Sequence, residues 1–165
     1  MKHEPIPNRS DPSSRSSIRV DLVIEIPASL EDVFSYLSDL ENNPSWNWAV
    51  SSTTPLDGPP RQGARFIQRR IWPRPGSDRF GISIYQPPRL LEVRGNLEEG
   101  DVRYRYELAA SSQLRTRLVA TVVLESAAPI RAANFYVARL SAAISTNLEE
   151  LGVVFSGRMT TAPSG

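Results

Sequence analysis

The stretch ARFIQRRIW, residues 64–72, poses a chemical problem. In an extended chain alternate side chains face opposite ways. Ala64, Phe66, Gln68, Arg70 and Trp72 then form one face, and Arg65, Ile67, Arg69 and Ile71 the other. Whichever face turns inward, at least one arginine goes with it. A guanidinium in an apolar interior must be held by a carboxylate, a carbonyl or a ligand, unless the strand end frays and the side chain reaches water along its alkyl stem. Held inside, Arg70 or Arg69 is suited to polarising a ketone oxygen or gripping a ligand acid through its planar fork of donors.

Two tyrosines offer a second kind of donor. Tyr104 and Tyr106 share a face with Val102 and Leu108, while Arg103, Arg105 and Glu107 take the other. Buried phenols need hydrogen-bond partners, so these rings either fill a core or donate to a bound carbonyl. Arg70, Tyr104 and Tyr106 are therefore the candidate catalytic groups. The candidate binding surface adds Phe66, Gln68 and Trp72 from the Arg70 face, Phe80 and Ile82 from the next apolar run, and Asn134, Ser141 and Asn147 flanking the apolar line of a C-terminal helix. In ENNPSWNWAV, Trp46 fits a core position. Trp48 fits either the core or a cavity entrance, and the two indoles share a face if the chain is extended there. Tyr36 reads as a boundary residue.

Other chemistries are excluded by what is missing. The chain has no cysteine, and its one histidine is His3 in a polar start. Thiolate and Ser/His/Asp nucleophiles, histidine bases and imidazole or thiolate metal sites thus lack their residues. Neither a metal nor a cofactor is expected. Nineteen basic against eighteen acidic residues leave no field suited to nucleic acid. No apolar run reaches signal-peptide or membrane-spanning length, which predicts a cytoplasmic protein without membrane insertion. Monomer and homodimer both remain open.

The elements that must position these groups follow from periodicity. At 165 residues, with 40% hydrophobic and 22% charged side chains, one domain is expected. Residues 1–16 and 158–165 are polar, Pro- and Ser-rich tails expected to be disordered, leaving a folded unit over 17–157. Ile18, Val20, Leu22, Ile24 and Ile26 alternate as one face of a strand. Ser29 then caps a helix carrying Leu30, Val33, Phe34, Leu37 and Leu40, closed by Asn42, Asn43 and Pro44. Strands are predicted over 49–54, 65–72, 79–85, 90–94, 102–109 and 114–125, separated by turn-forming DGPPRQG, PRPG, QPP, NLEEGD and AASS. From Pro129, Val137, Leu140, Ile144, Leu148, Leu151 and Phe155 mark one long amphipathic helix. Glu149, Glu150, Arg103, Arg105, Arg115 and Arg117 fall on solvated faces. The class is α+β: a twisted antiparallel sheet of about seven strands curled around the final helix.

The run VIEIPASLEDVFSYLSDLENNPSWN resembles the opening of the polyketide cyclase/dehydrase branch of the START-related SRPBCC superfamily, and the similarity extends over about residues 18–155. That resemblance implies a helix-grip fold with a deep apolar cavity between helix and sheet, and a hydrophobic small molecule as partner. Two functions are compatible with it. One is a cyclase/dehydrase-like catalyst that folds a polyketide-type carbonyl compound for intramolecular closure and water loss. The other is a carrier or sensor of a lipid or other hydrophobic metabolite. An enzyme requires several polar groups converging on one bound carbon framework, whereas a carrier requires only one anchor.

Overall fold

A computed structural model describes residues 16–98, 100–126 and 133–160, with side chains of the last segment from 137 to 158. Seven strands form one antiparallel sheet: β1 (Ser16–Ile26), β2 (Val50–Pro55), β3 (Arg65–Arg70), β4 (Gly76–Gln86), β5 (Leu90–Leu97), β6 (Gly100–Ser112) and β7 (Arg115–Ser126). Their spatial order is β1-β7-β6-β5-β4-β3-β2, so the first strand closes one edge against the last. Helix α1 (Leu30–Ser38) and a 3-10 turn (Leu40–Ser45) link β1 to β2, and the long helix α2 (Ala133–Thr160) follows β7. The curved antiparallel sheet with its C-terminal helix is the helix-grip architecture expected from the sequence. Pro129 lies outside the described residues.

Alternation sorts the side chains as expected. Ile82, Val93, Tyr104 and Val122 stand in register across β4, β5, β6 and β7, and all lie in or against the hydrophobic core. Opposite them, α2 buries Ile144, Leu148, Leu151 and Phe155 and half-buries Val137 and Leu140. Gly152 lies on β1, where a β-carbon would come within 3.5 Å of Ile24 Cδ1, so helix and strand approach closely. Helix α1 begins as expected, with Ser29 Oγ accepting from the Asp32 amide at 3.2 Å. It stops earlier than the apolar stripe suggested, because Asp39 adopts an extended conformation and caps the 3-10 turn that absorbs Pro44. Tyr36 is buried rather than peripheral. The last turns of α2 cover it, with the Phe155 ring at 5.2 Å and the Arg158 guanidinium 4.4 Å above its face.

On the outer face of the sheet a polar row runs across the strands: Asp21, Thr121, Arg105 and Glu92 are successive cross-strand partners. Thr121 Oγ1 donates to Asp21 at 2.7 Å. Arg105 thus does more than face solvent: it is half-buried and reaches both Glu107, at 2.7 Å, and Glu92, at 3.4 Å. Glu92 is 2% exposed and also accepts from Arg94, at 2.8 Å, and Ser83, at 2.9 Å. Burial alone would push its carboxyl up. The hydrogen bonds from Arg94 and Ser83 and the arginine charges outweigh burial and hold it below the ordinary 4.5. A depressed folded-state pKa contributes stability above the unfolded value and loses it as pH falls through the folded one. Glu92→Gln is therefore expected to cost about 1–3 kcal/mol at neutral pH, with the gap to wild type closing as urea melts are repeated below about pH 4.5. A gap independent of pH would show that the loss is one of packing, not charge.

Candidate functional site

The sheet and α2 leave a cavity of about 220 Å³ between them. Val50, Phe80, Leu97, Val102, Val122 and Leu124 line it from the sheet side, and Leu140, Ala143 and Ile144 from the helix. The conflict of parity in residues 64–72 is resolved in favour of the even-numbered face. Phe66 and Gln68 are buried and Arg70 is turned in, while Arg65, Arg69 and Ile71 are exposed. The strand ends at Arg70 rather than Trp72.

Arg70 neither frays nor snorkels to water. Its Nε donates to Asp78 Oδ2 at 2.9 Å, its Nη2 makes a long 3.5 Å contact with Asp78 Oδ1, and its Nη1 donates to the Arg74 carbonyl at 2.9 Å. The side chains of this pair are only 11% and 6% exposed, so two charges stand neutralised in the wall of an apolar cavity. Asp78 is the residue the sequence reading missed. Its signal was nevertheless present: Asp78, Phe80 and Ile82 share one parity on β4, and β4 begins three residues earlier than expected. Gln68 lies directly opposite Asp78 in the β3–β4 ladder, and its Oε1 accepts from Asn43 Nδ2 at 3.3 Å.

Tyr104 lines the same cavity. Burial, and after it the nearby Asp78 carboxylate, push its phenol up to about 12, with Arg70 pulling modestly the other way. The hydroxyl therefore stays protonated throughout the physiological range. Tyr106 stands farther in. With Phe66, Asn43 and Trp46 it bounds a second void of about 30 Å³, and burial followed by the Tyr104 charge drives its phenol higher still. The two spaces share Asn47, Gln68, Phe80 and Tyr104, which form the partition between them.

At the mouth the indoles separate, because residues 46–49 turn instead of extending. The Val50 amide donates to the Asn47 carbonyl at 3.0 Å. Trp46 is buried, at 6% exposure, and Trp48 stands out at 41%. The Trp48 ring packs on Trp72 with centroids 5.2 Å apart, and Arg139 of α2 lies 5.6 Å from the Trp72 centroid. Asn147 pins α2 to this turn: its Oδ1 accepts from the Trp48 amide at 3.3 Å and its Nδ2 donates to Asn47 Oδ1 at 3.1 Å.

Of the residues singled out from the sequence, Arg70, Tyr104, Gln68, Trp72, Phe80 and Asn147 meet at the main cavity. Phe66 and Tyr106 border the inner void, and Trp48 stands behind Trp72 at the rim. Ile82 is buried in the core and lines neither space, because β4 carries it past the cavity floor toward α1. Ser141 is half-buried on α2 away from the lining, and the Asn134 side chain lies outside the described residues. Besides Asp78, the sequence reading overlooked Asn43, Asn47 and Arg139. The described residues contain no His, Cys, Asp and Glu cluster that could hold a metal, and no helix long and apolar enough to cross a membrane.

The fold recurs among solved structures at low identity. The di-domain ARO/CYC StfQ of the steffimycin biosynthetic pathway superposes with a TM-score of 0.71 at 12% identity over 88% of this chain, which spans only 52% of that longer protein. A START superfamily protein from Mycobacterium smegmatis matches with a TM-score of 0.62 at 19% identity, covering 85% of this chain and 95% of its own. SA2116 from Staphylococcus aureus, a protein of unknown function, matches with a TM-score of 0.74 at 7% identity, covering 90% and 99%. No curated protein matches by sequence. These likenesses establish the shared architecture. The family model described as polyketide cyclase/dehydrase and lipid transport matches residues 17–155, nearly all of the sheet together with α2, and the chain belongs to that family.

Proposed function

We propose that the protein binds a compact hydrophobic carbonyl compound in the cavity and promotes its intramolecular cyclisation or dehydration, as a polyketide cyclase/dehydrase-like catalyst. The reading is carried by one observation: a protonated phenol, Tyr104, and a neutralised ion pair, Arg70–Asp78, stand together on the wall of a largely apolar cavity. Closure of a flexible chain on itself depends on holding it folded, keeping water out and placing a donor where enolate charge develops. Tyr104 can serve as that donor. Size limits the guest. A dry cavity of about 150 Å³ accepts benzene, so this one suits a one- or two-ring framework or a short folded chain.

A carrier role is favoured by a different observation. The Arg70 donors are already engaged within the chain, by Asp78 and by the Arg74 carbonyl, which leaves Tyr104 as the clearer anchor for a guest. Tyr104→Phe separates the two readings. In a catalyst it is expected to lower the cyclisation rate of a short poly-β-ketone by about 100-fold while binding, followed by tryptophan fluorescence, weakens less than tenfold. Binding without product formation by either protein would establish the carrier. Native mass spectrometry of protein from its own host adds a direct check, a retained polyketide-like mass supporting the catalyst and a fatty acyl compound the carrier.

A further inference from the structure

If the cavity performs cyclisation, some group must remove a proton from carbon, and few candidates exist. The only imidazole of the chain is His3, before the first strand. Arg70 and Arg139 are cations with no lone pair to offer, and the Tyr104 phenol is held protonated. Gln68, Asn47 and Asn147 carry amides, which are negligible bases. Among the described residues the cavity wall contains one carboxylate, Asp78.

We infer that Asp78 is the proton acceptor of the cavity, a role that rests on the catalytic reading above. The geometry supports it in three ways. The carboxylate is 6% exposed and borders the cavity from β4, next but one to Phe80, whose ring lies 6.2 Å from that of Tyr104. Arg70 grips chiefly one oxygen, Oδ2 at 2.9 Å, whereas the contact to Oδ1 is long at 3.5 Å, so Oδ1 keeps lone-pair capacity for a guest. The guanidinium also offsets the cost of holding a carboxylate in a largely apolar wall, with Arg70 Nε 2.9 Å from Asp78 Oδ2. In the step itself, Asp78 takes a proton from the carbon beside a ketone. The C–H pair moves into an enolate, and its oxygen accepts a hydrogen bond from Tyr104. The enolate carbon bonds to a second carbonyl carbon of the same molecule, and the proton on Asp78 returns to the alkoxide oxygen so formed. The product is an isomeric aldol, with Asp78 ionised again.

The first half of this step can be read without any cyclisation. 2-Tetralone, a two-ring ketone with an acidic C–H, serves as probe in D₂O. Wild-type protein is expected to bind it, by tryptophan quenching, and to speed hydrogen–deuterium exchange beside its carbonyl with saturation, followed by proton NMR. Asp78→Asn is expected to bind within about threefold of wild type and to lose at least 100-fold of the catalysed exchange. If that variant does not fold, Arg70→Gln/Asp78→Asn keeps a hydrogen-bonded pair of similar shape without charge, and the same loss is expected. Exchange that persists in either folded variant, or wild-type protein that binds 2-tetralone and exchanges nothing, overturns the role of Asp78 while leaving the binding function standing. Failure of wild type to bind the ketone counts instead against the carbonyl-binding cavity itself and takes this inference with it.

Discussion

Arg70→Met is expected to cost about 3–5 kcal/mol of folding free energy, far more than a surface arginine would. The cost arises from what is left behind. Asp78 is 6% exposed, and its carboxylate keeps only water or a guest in the cavity as partner once the guanidinium is gone. The Arg74 carbonyl loses its donor as well. Removing the acid too reverses the argument. Arg70→Met/Asp78→Leu replaces the pair by apolar groups against an apolar lining, and such exchanges are commonly neutral or stabilising. Urea melts of wild type, both single variants and the double variant form a cycle whose coupling energy is expected to exceed about 2 kcal/mol. A single-variant loss below about 1 kcal/mol, with additive behaviour in the double, would show that the pair is wet and that its placement in the cavity wall is mistaken. The double variant should also be the poorest binder of a polar ketone, since the pair that costs little to replace structurally contributes two of the polar groups on the cavity wall. Stability and ligand affinity would then move in opposite directions.

The sequence was most legible where one period dominated. Ile18, Val20 and Ile26 on β1 and Ile144, Leu148, Leu151 and Phe155 on α2 face inward as their spacing required, and from these two stripes alone the helix must lie on the sheet. Legibility failed where local chain geometry overrode alternation. The turn at residues 46–49 sends Trp46 in and Trp48 out although both fall on the same parity. Tyr36 sits off the apolar line of α1 but is covered by Phe155 and Arg158 from the far end of the chain, a contact that no local pattern announces. The site was half visible. An inward arginine followed from parity, but its partner did not, because Asp78 precedes the residue at which the strand was expected to begin. Glu92 was hidden for a similar reason: on the outer face of a sheet a carboxylate is ordinarily solvated, and only the register that brings Arg94, Arg105 and Ser83 around it removes it from water.

Leu151→Ala tests how far the cavity depends on the seating of α2. Leu151 is fully buried and sits one residue before Gly152, where a β-carbon would stand in van der Waals contact with Ile24 of β1. Truncation should cost about 2–5 kcal/mol, from lost transfer of apolar carbon out of water plus the void that a close-packed helix and strand cannot close. It should also loosen α2 farther up, because Ile144, Leu148 and Leu151 lie on one helical face and the first of them lines the cavity. A guest bound between helix and sheet stabilises the native state alone, so saturating ligand at about 100 times its dissociation constant should restore roughly 2.7 kcal/mol. The dissociation constant itself is expected to rise in the variant, because part of the binding free energy must reseat the helix. Thermal melts of both proteins with and without ligand read all three quantities. A variant that loses its stability yet binds with unchanged affinity would place the helix anchor and the cavity in separate energetic units. Loss of both together makes the long helix a structural wall of the binding site as well as part of the core.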